Sequence, residues 1–281
     1  MSVYEAPAKV NLSLHVEPPH ADGYHPIQSL VQTIEWCDLL VVEEAEEDDL
    51  RVVGAELDPE DNLVQRALDA ARLLKPVPKL SIDLRKRIPI GTGLGGGSSD
   101  AAATLLAALS FGAVTDDEMT ESALSVGADV PLFLVGGTIL MSGYGEIIES
   151  QPGLVGLAVA VAVPDFSLST AEVYRRWDQM EGPVGEVASH GLLPPPLRDG
   201  MPIRNDLTPA ALDLEPMLGD FMADLRSAWG SAVLMTGSGS GCFGLFPDKS
   251  EADDAAESVR VRARVVLAAD LRSRGVSRVE S

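Results

Sequence analysis

IPIGTGLGGGSSDAAATLLAAL, residues 88–109, places five glycines in the seven positions 91–97, continues with Ser98-Ser99-Asp100, and then turns abruptly to alanine and leucine. Glycine has no Cβ, so such a stretch takes φ > 0 and lets a ligand lie close against the main chain. The run that follows predicts a helix with Leu105, Leu106 and Leu109 on an apolar face and Ser98, Ser99 or Asp100 as its cap. A glycine loop opening onto a helix start is an anion site, because free amides and the positive end of the dipole both favour phosphate. A flexible Gly/Ser linker is the weaker interpretation. The stretch begins at an alternating strand, KLSIDLRKRIPI (79–90), with Leu80, Ile82 and Leu84 on one face, and it ends in an apolar helix.

Two other phosphate loops compete. A Walker A loop needs Lys-Ser or Lys-Thr after the glycines, and none is present. Gly91, Gly93 and Gly96 satisfy G-x-G-x-x-G, but a dinucleotide fold needs a further apolar strand directly after the helix. Here FGAVTDDEMTESAL follows, where Thr115 and Glu118 have the spacing of a capping box and open another helix.

The chain has 281 residues, 46% of them hydrophobic, enough for a large core and about two domains. MSVYEAPAKV has no basic and apolar leader pattern, and LVGLAVAVAV (154–163) is too short to span a bilayer, so a soluble, cytoplasmic protein is expected. Cys37 and Cys242 lie far apart in strand-like sequence and are expected as small buried side chains, without disulfide or zinc. A net charge of −22 argues against nucleic acid and anionic membrane as partners. Arg85, Lys86 and Arg87, just before the glycine loop, supply local positive charge, although a solvated edge strand carries such residues too. Arg260, Arg262 and Arg264 are expected to alternate on the solvated face of a strand, and EEAEEDD (43–49) to be solvated.

PAKVNLSLHV (7–16) alternates, with Val10, Leu12, Leu14 and Val16 on one face and Lys9, Asn11, Ser13 and His15 on the other. Asp22-Gly23 predicts a turn, 27–44 a strand, and Leu63, Ala67, Ala71 and Leu74 the stripe of a helix stopped by Pro76. After Pro152-Gly153 the order, with some extra helical material set aside, is strand, helix, strand, strand, helix, strand, the split βαβ pattern of a ferredoxin-like sheet.

PAKVNLSLHV, the glycine loop with its serines, and TGSGSGCFGLF (236–246) resemble the three motifs of the GHMP small-molecule kinases. ADGYHPIQSLVQTI (21–34), EDNLVQRAL (60–68), GADVPLF (127–133) and RNDL (204–207) narrow the resemblance to the branch that phosphorylates the 2-hydroxyl of a cytidine-diphosphate sugar alcohol in non-mevalonate isoprenoid synthesis. Another GHMP kinase, such as homoserine kinase, is the alternative. The resemblance implies an α+β, two-domain fold: an N-terminal ribosomal-protein-S5-like domain over 1–152 and a C-terminal ferredoxin-like domain over 153–281. It also implies ATP and Mg²⁺, small-molecule substrates as the partners, and leaves a homodimer open.

Carried over by motif, the catalytic pair is Lys9 and Asp129. The ATP site comprises Pro89, Ile90, Gly91, Thr92, Gly93, Leu94, Gly95, Gly96, Gly97, Ser98 and Ser99, with Asn62, Lys86 and Asp100 beside them. The acceptor site comprises Asn11, Tyr24, His25, Thr170 and Tyr174, with Tyr24 and Tyr174 above and below a cytosine whose edge meets His25. No residue is firmly assigned to the metal, which is carried with ATP. Outside the resemblance, Asp129 reads equally as the cap of a short helix, and Lys9 and Asn11 as the wet face of an edge strand. Departures from the family are Pro18 and His20, where Gly and Arg are usual, and Asp100, where Asn is frequent.

Overall fold

The computed structural model describes residues 1–279 except 22, 57–61, 113, 155 and 190. Long apolar runs with few interruptions make two long strands first: β1 (Ser2–Val16) and β2 (Ile27–Glu44), paired antiparallel along their whole length. Between them Gly23 takes the positive φ of a turn, while its partner Asp22 lies outside the described residues. Next come β3 (Asp49–Val53), α1 (Leu63–Leu74), β4 (Leu80–Arg85), α2 (Gly96–Leu109), α3 (Asp116–Val126) and α4 (Val130–Val135). Strands β5 (Thr138–Gly143) and β6 (Ile147–Ser150) close the first half.

The second half runs β7 (Ala158–Val163), α5 (Thr170–Gln179), α6 (Pro195–Arg198), α7 (Thr208–Leu214), α8 (Met217–Trp229), β8 (Leu234–Met235), β9 (Cys242–Phe246), α9 (Lys249–Ser258) and β10 (Val265–Asp270). A last strand, β11 (Ser277–Val279), returns to the first sheet.

The first sheet has the order β11-β1-β2-β4-β3, with β5 on the early part of β2 and β6 outside β5. The second has the order β10-β7-β9-β8, all antiparallel, as the split βαβ pattern requires. Strand β7, AVAVAV, shows how the layers stack. Val159, Val161 and Val163 pack with Val10, Leu12, Leu30 and Ile34 between the two sheets, whereas Ala158, Ala160 and Ala162 face the helical core of α5, α8 and α9. On the far side of the first sheet, α1 to α4 bury Leu40, Leu84, Leu105 and Phe133.

Three local expectations need correction. The stripe of α1 is Val64, Ala67, Leu68 and Ala71: Ala67 and Ala71 are as expected, Val64 and Leu68 take the places of Leu63 and Leu74, and Leu74 is exposed. Helix α2 starts at Gly96, with Gly95 at the N-cap position and no side-chain cap, so Ser98, Ser99 and Asp100 lie inside it. Arg260, Arg262 and Arg264 do not share a strand: they occupy the turn between α9 and β10.

Candidate active site

The cleft between the halves has a volume of about 590 Å³ and is walled by β1, the glycine loop, the starts of α2 and α4, α5 and the turn 237–239. At Lys9 and Asn11 strand β1 pairs with β2 on one side and is covered on the other by the glycine loop and Thr236, so the two are buried at 4% and 6% exposure and not on a wet edge. The Lys9 backbone N–H donates to Leu94 O at 2.9 Å, which fixes the strand against the loop. Its ammonium donates to Asn11 Oδ1 at 2.5 Å and lies 3.9 Å from Asp129 Oδ2. Burial pushes Lys9 below the ordinary lysine value, and the Asp129 charge opposes that shift.

Asp129 stands at the N-cap position of α4 but makes no capping hydrogen bond, and its carboxylate, 38% exposed, faces Lys9. The plain capping role is therefore absent.

Gly93 and Gly95 show why the loop needs glycine. Both have φ near +74°; a Cβ on Gly93 would lie 2.0 Å from Thr236 O, and one on Gly95 2.6 Å from the Phe133 ring. The start of α2 has no side-chain cap, and among the described residues no side chain bonds the amides of Gly96, Gly97 and Ser98 at the cleft. Residues 89–93 and 95–98 line the cleft, as do Asn62, Lys86 and Asp100. Leu94 and Ser99 do not. Leu94 is packed between the sheets and Ser99 is fully buried.

Of the basic trio, Arg85 and Arg87 are exposed and Lys86 is buried between two carboxylates. Lys86 Nζ donates to Asp100 Oδ2 at 2.6 Å and to Asp38 Oδ2. Burial works against the Lys86 ammonium, but the two acids outweigh it and hold Lys86 above its usual value. Burial raises Asp100 to about 8, with Asp38 adding to the shift and Lys86 opposing it. Asp38, which the motifs did not mark, also accepts the Arg87 and Ile88 N–H groups and ties β2 to the loop. A signal existed: Asp38 alternates with Leu40 and Val42, which are buried, and a carboxylate in such a row demands partners.

On the acceptor side, Thr170 and Tyr174 of α5 line the cleft. Burial raises Tyr174 further above its usual phenol value, with the Asp129 charge adding to it. His25 stands beside this wall, its ring 5.1 Å from Tyr174 and 5.4 Å from Trp177. Its Nδ1 lies 3.0 Å from Glu17 O, a carbonyl that only accepts and so calls for a proton on Nδ1, and its Nε2 lies 3.4 Å from Asp178 Oδ2. Tyr24 is 69% exposed and packs edge-on against Tyr144 at 6.3 Å, outside the cleft. His20 reaches the same Tyr144, with Nδ1 2.7 Å from its hydroxyl. The structure therefore brings one of the two expected stacking rings to the cleft.

A glycine-rich anion loop feeding an uncapped helix, a buried lysine facing a carboxylate, and a ferredoxin-like second half define a small-molecule kinase of the GHMP class. Two family models match, the GHMP kinases N terminal domain over residues 62–137 and the GHMP kinases C terminal over 191–263. The 4-diphosphocytidyl-2-C-methyl-D-erythritol kinase of Agrobacterium fabrum is 35% identical across 92% of each chain, and that of Sinorhizobium medicae 38% across 90% of this chain and 89% of its own. The crystal structure of a 4-(cytidine 5'-diphospho)-2C-methyl-D-erythritol kinase superposes with a TM-score of 0.78 at 36% identity, over 96% of this chain and 98% of that one. A homoserine kinase from Cytophaga hutchinsonii shares the fold at 17% identity and a TM-score of 0.65, over 99% and 97% of the two chains. This chain belongs to the 4-diphosphocytidyl-2-C-methyl-D-erythritol kinase family.

Proposed function

We infer that the protein transfers the γ-phosphoryl group of ATP to the 2-hydroxyl of 4-diphosphocytidyl-2-C-methyl-D-erythritol, releasing ADP and the 2-phosphate, in the non-mevalonate route to isoprenoid precursors. The observation that carries this reading is the buried Lys9 ammonium facing Asp129 across the uncapped start of α2. Phosphoryl transfer asks mainly for positioning and charge neutralisation. Loop amides and the α2 dipole hold the phosphates, and Lys9 offsets charge developing on the transferred group. Asp129 accepts the hydrogen bond of the attacking hydroxyl and takes its proton as the oxygen–phosphorus bond forms. Asn62 and Lys86 lie toward the nucleoside of ATP; Tyr174 and His25 receive the cytosine, and Tyr24 completes the stack by moving in from Tyr144.

Among the described residues no three His, Cys, Asp or Glu side chains converge as a metal cage. A Mg²⁺ carried by the ATP phosphates would find oxygen donors among the side chains that line the cleft, of which the Ser98 hydroxyl stands in the first turn of α2. When bound, Mg²⁺ neutralises phosphate charge. No helix among the described residues is long and apolar enough to cross a membrane.

The test is ADP release with ATP, Mg²⁺ and the cytidyl acceptor, beside homoserine, mevalonate and no acceptor. Turnover with the cytidyl acceptor alone is expected. Turnover with homoserine instead would keep Lys9, Asp129 and the loop but overturn the base pocket, and no turnover at all would overturn the kinase reading.

A further inference from the structure

RNDL (Arg204–Leu207) is distinctive in sequence, yet apart from Leu207 on the cleft wall it supplies nothing to the reaction as described. Its geometry gives it a task. Asn205 is 2% exposed, and its amide is fully engaged: Nδ2 donates to Met235 O at 2.9 Å and to Gly237 O at 2.7 Å, while Oδ1 accepts the Leu207 N–H at 3.0 Å. The two amide protons thus go to the last residue of β8 and to the first glycine of the turn 236–241.

That turn is where the three glycine and lysine motifs meet. Thr236 Oγ1 accepts the Asn11 N–H at 3.1 Å and stands 3.2 Å from both Asn11 Oδ1 and Gly93 O. The Gly241 N–H donates to Thr92 O at 3.1 Å, and Ser238 Oγ lies 2.7 Å from Thr170 Oγ1 on α5. Gly237 approaches so closely that a Cβ there would sit 3.3 Å from both Lys9 Nζ and Gly93 Cα. The RNDL segment is itself docked on β1: Leu14 N–H donates to Arg204 O at 2.8 Å, and Asp206 N–H donates to Leu14 O at 2.9 Å. A bracket results, from β1 through Asn205 to the turn, and back to Lys9 on the same strand.

We propose that Asn205 is a positioning residue for phosphoryl transfer, its two amide protons setting the turn 237–239 against Lys9 and the phosphate loop. The proposal rests on the kinase reading above. Holding the RNDL segment in place is a separate task, done by Asp206, whose carboxylate accepts the Val16 and Gly185 N–H groups at 3.2 and 2.9 Å and pairs with Arg204. Loss of the Asn205 amide therefore frees the turn and leaves the segment docked.

The experiment compares Asn205→Ala, Asn205→Ser and Asp206→Asn in the full chain, reading Tm, kcat, and KM for ATP and for the cytidyl acceptor. Asn205→Ala is expected to lower kcat about 10- to 100-fold, the scale of a misplacement near 1 Å, with KM for ATP within about threefold of wild type. Asn205→Ser, which keeps one donor, should recover part of the loss. Asp206→Asn should lower Tm with kcat within about twofold of wild type, because the two backbone bonds between Leu14 and residues 204 and 206 keep Asn205 docked and the side chain touches neither the turn nor the cleft. Should Asn205→Ala fail to fold, the serine variant takes the same reading against Asp206→Asn. Full kcat in a folded Asn205 variant, or kcat losses that track Tm equally at 205 and 206, would overturn the proposal. Failure of the kinase reading is distinct: wild type itself would then not turn over.

Discussion

Burial disfavours the charged form of Lys9, and that makes its protonation state the first quantity to measure. Burial lowers its pKa from the ordinary 10.5 and Asp129 raises it part of the way back. The reaction needs the ammonium, so kcat should fall with rising pH at a value below that of an ordinary lysine. Asp129→Asn should reduce kcat about 10²- to 10⁴-fold with substrate binding retained, and the residual activity should lose its alkaline side at still lower pH, since the charge supporting Lys9 is gone. A pH–rate profile of both proteins checks this, and an unshifted limb would contradict it. Asp100 gives a stability prediction of known sign. Its value rises from 3.8 to about 8 on folding, so the folded state binds the extra proton between those values and the group's contribution to stability declines there as pH increases. Asp100→Asn should therefore gain on wild type as pH rises from about 4 to about 8, by at least about 3 °C in Tm, the shift that ~1 kcal/mol gives a chain of this size. Parallel melting curves across that range would reject the account.

The glycine loop and α2 show at the scale of an element what pattern conveys and what it hides. A glycine-rich loop with a helix behind it was legible, because glycine density and an Ala-Leu run are local signals. The first residue of the helix was not: serines that normally cap lie inside α2, and Gly95 takes the cap position because Phe133 and Lys9 leave no room for a Cβ. The same contrast separates two substitutions. Gly93→Ala sets a methyl 2.0 Å from the Thr236 carbonyl at positive φ, and should cost about 3 kcal/mol or more, with loss of activity. Gly97→Ala meets only Leu63 Cδ1 at 3.6 Å and lies in ordinary helical conformation. It should stabilise α2 by about 0.5–1 kcal/mol, yet raise KM for ATP because its methyl would stand on the cleft wall where the proposed function puts phosphate. Thermal melts with ATP titrations separate the two effects, and a Gly97→Ala variant with unchanged KM would move the phosphate off this wall. The capping box of Thr115 and Glu118 was legible for the same local reason and is present in full. Tyr24 was not: its motif marks a stacking ring, but where that ring rests depends on Tyr144, 120 residues on.

The order of strands in the second sheet followed from the alternation of strands and helices, because one connection pattern dominates once those elements are known. How the chain's end rejoins the first sheet carried no such local signal. Residues 271–279 cross back over β1 and β2, and Arg272 fastens them. Its N–H donates to Thr33 O, and its carbonyl accepts from Gln32 Nε2 and Thr33 Oγ1. Its guanidinium, 1% exposed, meets Glu35 at 2.6 Å, Glu5 at 2.9 Å and Ser277 Oγ at 2.8 Å. Burial alone would weaken that cation, but the surrounding acids and the Cys37 thiol raise its pKa further. In a chain of net charge −22 this clamp joins β1, β2 and β11 across more than 230 residues of sequence. Arg272→Met keeps the packing volume and removes the charge. Glu5 and Glu35 retain partial exposure, so solvent recovers part of their hydration, and the cost should be about 2–3 kcal/mol, toward the lower end for a broken buried pair. Tm should fall accordingly. Because β1 also carries Lys9 and Asn11, kcat at temperatures well below the melt reports whether the clamp reaches the cleft. The bracket of Leu14, Asn205 and Gly237 holds the catalytic end of β1 independently, so kcat there should stay near wild type. A large kcat loss in folded Arg272→Met would instead make the two ends of β1 a single mechanical unit.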